Sequence, residues 1–229
     1  SVVKSVSIVS LKMLQNNNSP LTPLPLERGT VCLSTAYFAP IEYYQHIKSA
    51  EKVCIEQHEY YQKQSYRTRS RIVSANGVMD LSIPVEKRNH TLIRDVRISE
   101  HSDWQTLHWR SIEAAYNSSP FFEYYADDFR PFFEKKWLFL WDFNMELLHK
   151  TLELLDIETK ITLTEAYEPQ TDENTLDLRE IIHPKKAASL PLKPYYQVFA
   201  AKFGFIPNLS IADLLFNMGN ESQLVIAYK

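Results

Sequence analysis

Residues 30–56 read TVCLSTAYFAPIEYYQHIKSAEKVCIE. The run Thr30–Thr35 is short, apolar and β-branched, and Lys52–Glu56 repeats that character. Both suit strands buried on both faces of a sheet. Between them Pro40 fits the first helical position, where a missing N–H costs nothing. Ile41, Tyr44 and Ile47 then follow at helical spacing up to Ala50. The stretch is the size of a strand–helix–strand crossover, which joins parallel strands. The residues after the two strands, 36–39 and Glu56–Glu59, then lie at the carboxyl edge of the sheet, where open α/β sheets bind ligands.

A hairpin comes next. Asn76-Gly77 predicts a type I′ turn, because both residues accept positive φ. That tip pairs Ala75 with Val78, and sets Ile72 against Leu81, Ser70 against Ile83 and Thr68 against Val85 on one, largely apolar face. Arg71 meets Ser82, Arg69 meets Pro84 and Arg67 meets Glu86 on the other. Alternation then lines up Lys63, Ser65, Arg67, Arg69 and Arg71 on one side of one strand. Guanidinium forks bind carboxylates and phosphates. This row is therefore a candidate site for a small anionic substrate, against the alternative of an exposed face with ion pairs such as Arg67–Glu86.

The second half is more helical. Thr91–Ser99 reads as one more strand. Ser102 and Gln105 form a capping box before a stripe of Trp104, Leu107, His108, Ile112 and Ala115. Ser119-Pro120 starts a short helix, 133–155 a long one, and 157–163 a strand. Residues 167–194 are rich in proline and charge and read as irregular. Ser210 and Asp213 cap a last helix that Gly219 closes. The fold class is α/β, with an N-terminal strand–helix–strand unit and hairpin in a mixed sheet. Residues 1–29 read as an N-terminal extension and 30–229 as one domain.

Composition excludes several chemistries. The chain has 229 residues, four glycines and a formal net charge of −3. No two glycines share a short loop, so P-loop, GxGxxG and GxSxG turns are absent. The two cysteines, Cys32 and Cys54, read as buried structural thiols, with a disulfide open only if their strands are neighbours. No CxxC or HExxH motif marks a metal, and no cofactor is named by any motif. The acidic balance argues against nucleic acid as partner. No apolar run is long enough for a membrane span, and no export signal is evident, so a cytoplasmic location is expected. The oligomeric state is left open. His108, on an apolar stripe, is either a hydrogen-bonded core histidine or a general base. Tyr37 is either a ligand-stacking ring or core, and Asn144 a buried amide.

Taken in order, several stretches resemble the WbqC-like family. They are Ser34–Pro40 with Tyr43-Tyr44, Tyr61–Ile72, and Ala75-Asn76-Gly77 with Leu81–Val85. Trp104, His108, Ile112, Ala115-Tyr116, Ser119–Phe122 and Pro207–Gly219 complete the set. The resemblance implies a bacterial protein from gene clusters for O-antigen and other surface polysaccharides. It points to Tyr37, Lys63, Ser65, Arg69, Arg71 and His108 as the polar set. An acidic pair frequent in the family stands here as Gln57 and His58. The function this suggests is a transferase modifying an amino sugar or sugar nucleotide, by acyl or aminoacyl transfer, with arginines on the anion and His108 as catalytic base. A nucleotidyltransferase-like enzyme of Rossmann-like fold and a non-catalytic carbohydrate- or partner-binding subunit are the alternatives.

Overall fold

The computed structural model describes residues 29–86 and 90–227. The expected extension over 1–29 falls outside them except for Gly29. Strand β1 (Thr30–Ser34), helix α1 (Ile41–Ser49) and strand β2 (Lys52–Glu56) form the expected crossover, with Pro40 at the N-cap. β1 and β2 pair in parallel from Thr30↔Lys52 to Ser34↔Glu56. Two later strands, β5 (Lys160–Leu163) and β6 (Thr175–Asp177), extend this sheet in the order β5-β2-β1-β6, all parallel. β6 lies inside 167–194, the stretch expected to be irregular. Three residues are too few to announce themselves as a strand beside so many prolines and charges.

The two buried-type strands turn out to alternate. Val31, Leu33, Val53 and Ile55 are fully buried and join the core, with Ile161 and Leu176 packed beside them. Thr30, Cys32, Lys52, Cys54, Glu56 and Thr162 project to the opposite face and line a cleft there. No helix among the described residues lines that cleft. A parallel sheet normally has both faces covered; here one face is core and the other is polar.

The hairpin forms from β3 (Arg69–Ser74) and β4 (Gly77–Ser82), but its register differs from the expected one. Ser74 pairs with Gly77, Arg71 with Asp80 and Arg69 with Ser82. The turn sits on Ala75-Asn76, with Gly77 alone at positive φ, 107°. Ser74 explains the shift: its Oγ accepts from Asn76 N–H at 3.2 Å and donates to the Gly77 carbonyl at 3.1 Å. A type I turn followed by a left-handed glycine thus replaces type I′. The slip moves each partner by two residues, so faces are kept while the partner of Arg71 changes from a serine to a carboxylate.

Thr91–Ser99 is no strand. A 3₁₀ turn at Ile93–Asp95 lets Ile93, Val96 and Ile98 all reach the core, and only single bridges flank it. Helix α2 (Trp104–Tyr116) starts without a side-chain cap, because Gln105 donates instead to the carbonyls of Phe132 and Lys135. Leu107 is 59% exposed, and Trp109 and Tyr116 take its place in the buried stripe. The short helix after Pro120 is α3 (Phe122–Glu134) of 13 residues, and the long one begins only at α4 (Leu140–Leu154). Trp137 separates them; its indole N–H donates to the Phe132 carbonyl at 2.9 Å. Short α5 (Ala200–Phe203), α6 (Ile211–Met218) and α7 (Ser222–Ile226) complete the chain.

Ser210 caps α6 as expected, its Oγ accepting from the Ala212 amide, but Asp213 does not reciprocate. Its carboxylate turns inward and accepts hydroxyl bonds from Tyr116 and Tyr195. Gly219 closes α6 at φ 54°, with the Phe121 ring so near that a Cβ would meet it at 2.7 Å. The mixed α/β class, with helices mostly in the second half, is as expected. No helix among the described residues is long and apolar enough to cross a membrane.

Candidate functional site

Each strand of the parallel sheet ends on a polar group: Ser34 on β1, Glu56 on β2, Asp177 on β6 and Thr164 just beyond β5. Two buried arginines tie these ends together. Arg179 donates to Glu56 Oε2 at 2.9 Å, to both Asp177 carboxylate oxygens and to the Glu168 carbonyl. Its guanidinium lies 5.1 Å from the Tyr167 ring centre. These partners, Asp177 first, raise its affinity for the proton further, so it is a permanent cation. Arg67 makes a two-pronged bond to Glu59 and a 2.7 Å bond to Ser34 Oγ. Glu56, Glu59, Arg67 and Arg179 are each no more than 6% exposed. Charges this deep are tolerable only when paired and hydrogen-bonded.

Local sequence puts Arg67 there. Residues 63–68 form turns, with Gln64 in the left-handed region at φ 58° and Ser65 Oγ donating to the Gln62 carbonyl. Asn144 on α4 then holds the Arg67 carbonyl through its amide at 2.8 Å.

Two hollows meet at Arg179. The larger, about 560 Å³, covers the polar sheet face beneath residues 164–175. The second, about 280 Å³, is bounded by Glu59, Gln62, Asp177, Glu180 and the rings of Tyr60, Tyr61 and Tyr167. Carboxylates outnumber cations in both. Glu56, Glu165, Glu168 and Asp172 border the first, against Lys52 and the already paired Arg179. Among the described residues no group of three or more His, Cys, Asp or Glu is arranged to hold a metal ion.

The residues singled out in the sequence fall in three places. β3 begins only at Arg69, so the single row from Lys63 to Arg71 does not form. Lys63 is exposed, Ser65 is buried in the turn, and Arg67 points to Glu59 rather than to Glu86. Arg69 and Arg71 share one carboxylate, Asp80, at 3.4 and 3.1 Å, and the Nε of Arg69 has no partner. Tyr37 and His108 lie in the core. The Tyr37 hydroxyl is 3.0 Å from His108 Nδ1. Burial lowers the His108 pKa to about 4, so its ring is neutral at pH 7. Neither residue borders the two hollows.

Arg179, Asp177, Thr164 and Glu180 carry much of this site, and no motif in the sequence marks them. The alternation Leu176-Asp177-Leu178-Arg179 was the available signal, since it places both apolar residues on one side of a short strand.

Comparison with known proteins agrees with the motifs. The model of the WbqC-like protein family matches residues 35–189. A Mycobacterium tuberculosis protein, Rv1507c, described as uncharacterised, is 26% identical over 217 residues, covering 81% of this chain and 92% of the relative. No solved structure gives a significant match. The family match takes in the loop after β1, helix α1, β2, the hairpin, α2 to α4 and both edge strands of the sheet, and on it the chain belongs to the WbqC-like protein family.

Proposed function

We propose that this chain is a transferase that binds an amino sugar in the cleft at the carboxyl edge of its parallel sheet. The observation that carries this is the uncovered polar sheet face with its excess of carboxylates. A protonated amine and a ring of hydroxyls suit such a lining, whereas a phosphate finds only Lys52 unengaged by the acids named above. The exposed rings of Tyr60 and Tyr167 offer flat faces to a sugar. A carboxylate beside the amine also accepts the proton shed when the amine attacks an acyl carbon. The setting in surface-polysaccharide synthesis comes from the family resemblance.

Calorimetry with UDP-glucosamine and UDP-N-acetylglucosamine tests the reading. The free amine should bind about tenfold more tightly or better, a difference of roughly 1.4 kcal/mol. Glu168→Gln should narrow the gap. Equal affinities for the two compounds would overturn it.

A second reading concerns the anionic partner of the reaction. Two guanidiniums share one carboxylate on the hairpin, and Arg69 Nε is unpartnered, which favours a carboxylate or phosphate at Arg69 and Arg71. Asp80→Asn should then tighten pyrophosphate binding several-fold and Arg71→Ala should weaken it. A titration in which neither substitution alters pyrophosphate affinity removes the hairpin from the site.

A further inference from the structure

The register of β1 on β2 sets Cys32 directly opposite Cys54. Paired residues on neighbouring strands point to the same face, and both cysteines border the larger hollow. Both are free. Adjacent strands lie about 4.8 Å apart, within the window of roughly 4.4–6.8 Å that a disulfide needs between Cα atoms. The same spacing is wide for the Cβ atoms, which a disulfide draws to about 3.8 Å. A bond here pulls two strands together, and strained bonds of this kind are readily reduced.

The two thiols are unequal. Cys54 is half-buried, while Cys32 is 3% exposed. We propose that Cys54 and Cys32 form a reversible thiol-modification site on the floor of the cleft, which takes a low-molecular-weight disulfide. Cys54 thiolate attacks one sulfur of that disulfide, forming a mixed disulfide and releasing one small thiolate. Cys32, after losing its proton to solvent, attacks the Cys54 sulfur and releases the second. Two protein thiols are oxidised, one small disulfide is reduced to two thiols, and two hydrogens leave the chain. The assignment stands independently of the amino-sugar reading, since it rests on strand register and thiol exposure, not on what the cleft binds.

The second step is the slow one. Burial pushes the Cys32 thiol up to about 12, with Arg179 favouring ionisation and Asp177, Cys54 and Glu56 opposing it. Closure of the mixed disulfide should therefore quicken about tenfold per pH unit between roughly pH 7 and 9, where thiolate limits the rate.

The test uses the full chain with oxidised glutathione, an acid quench and intact-mass analysis. The native protein should finish with two hydrogens lost and no glutathione retained. Cys32→Ser should hold one glutathione on Cys54, and Cys54→Ser should stay unmodified over the same period. Cys32→Ala repeats the first variant without a buried hydroxyl, should the serine disturb folding. A native chain that stays reduced or keeps a stable adduct overturns the proposal, as does a Cys54→Ser variant that reacts as fast as Cys32→Ser.

Discussion

Arg67→Ala is expected to lower stability by about 3–5 kcal/mol, because it leaves the Glu59 carboxylate buried and without its guanidinium partner. For a chain of this size that is a fall in thermal midpoint of roughly 10 °C. The cause is the orphaned charge rather than lost attraction, since the desolvation of a buried pair consumes most of its Coulombic gain. Pairing the substitution with Glu59→Leu should recover most of the loss. Calorimetric melts of the single and double variants check this. A single variant within a degree or two of the parent would mean that water reaches Glu59 and the carboxyl edge is more open than its 5% exposure implies.

The second large effect is the response to acid. Burial lowers both His46 and His108 from the usual 6.5 to about 4. Between those values the unfolded chain binds protons that the native chain refuses, so stability rises with pH across that window. Each histidine's contribution is fully present above about pH 6.5. Roughly 3 kcal/mol apiece is lost as pH falls to 4.

Asp213 works in the opposite sense. Burial raises it from 3.8 to about 6, despite donors from Tyr195, Tyr116 and Gln197. There the native chain holds the proton more tightly, so stability falls as pH climbs from about 4 to 6 by roughly the same amount. Urea unfolding at pH 7 and pH 4 separates the terms. His108→Gln keeps a polar partner for Tyr37, and should lose about 3 kcal/mol less than the parent on acidification. Asp213→Asn should lose more than the parent. Parallel profiles for parent and variants would show that these sites are wetter than the structure depicts.

The elements that local pattern controls were legible in the sequence. The strand–helix–strand unit follows from two β-branched runs around a helical spacing, and the two ends of α6 from a serine and a glycine. What failed depended on single side chains whose hydrogen bonds or backbone angles override a local preference, some of them far along the chain. The hairpin register turned on one serine hydroxyl competing with an Asn-Gly preference. The capping box at Ser102 lost its glutamine to carbonyls on a helix about 30 residues away. The sequence marks the carboxyl edge as a place for a ligand, with Glu56–Glu59 part of it, and the structure gathers buried charges there. The edge's second arginine was hidden, because a three-residue strand derives its existence from β1 rather than from its own composition. Arg67 looked like a surface residue for a related reason. A strand extrapolated through 63–68 points it outward, and only the left-handed Gln64 turns it inward.

The division of the sheet into an apolar side and a polar side has an evolutionary corollary. Side chains such as Thr30, Lys52 and Thr175 lie outside the core, so exchanging them should leave folding almost untouched while reshaping what rests on them. Descendants of such a chain can try new ligands one residue at a time without first acquiring spare stability, and divergence among relatives should concentrate on this side.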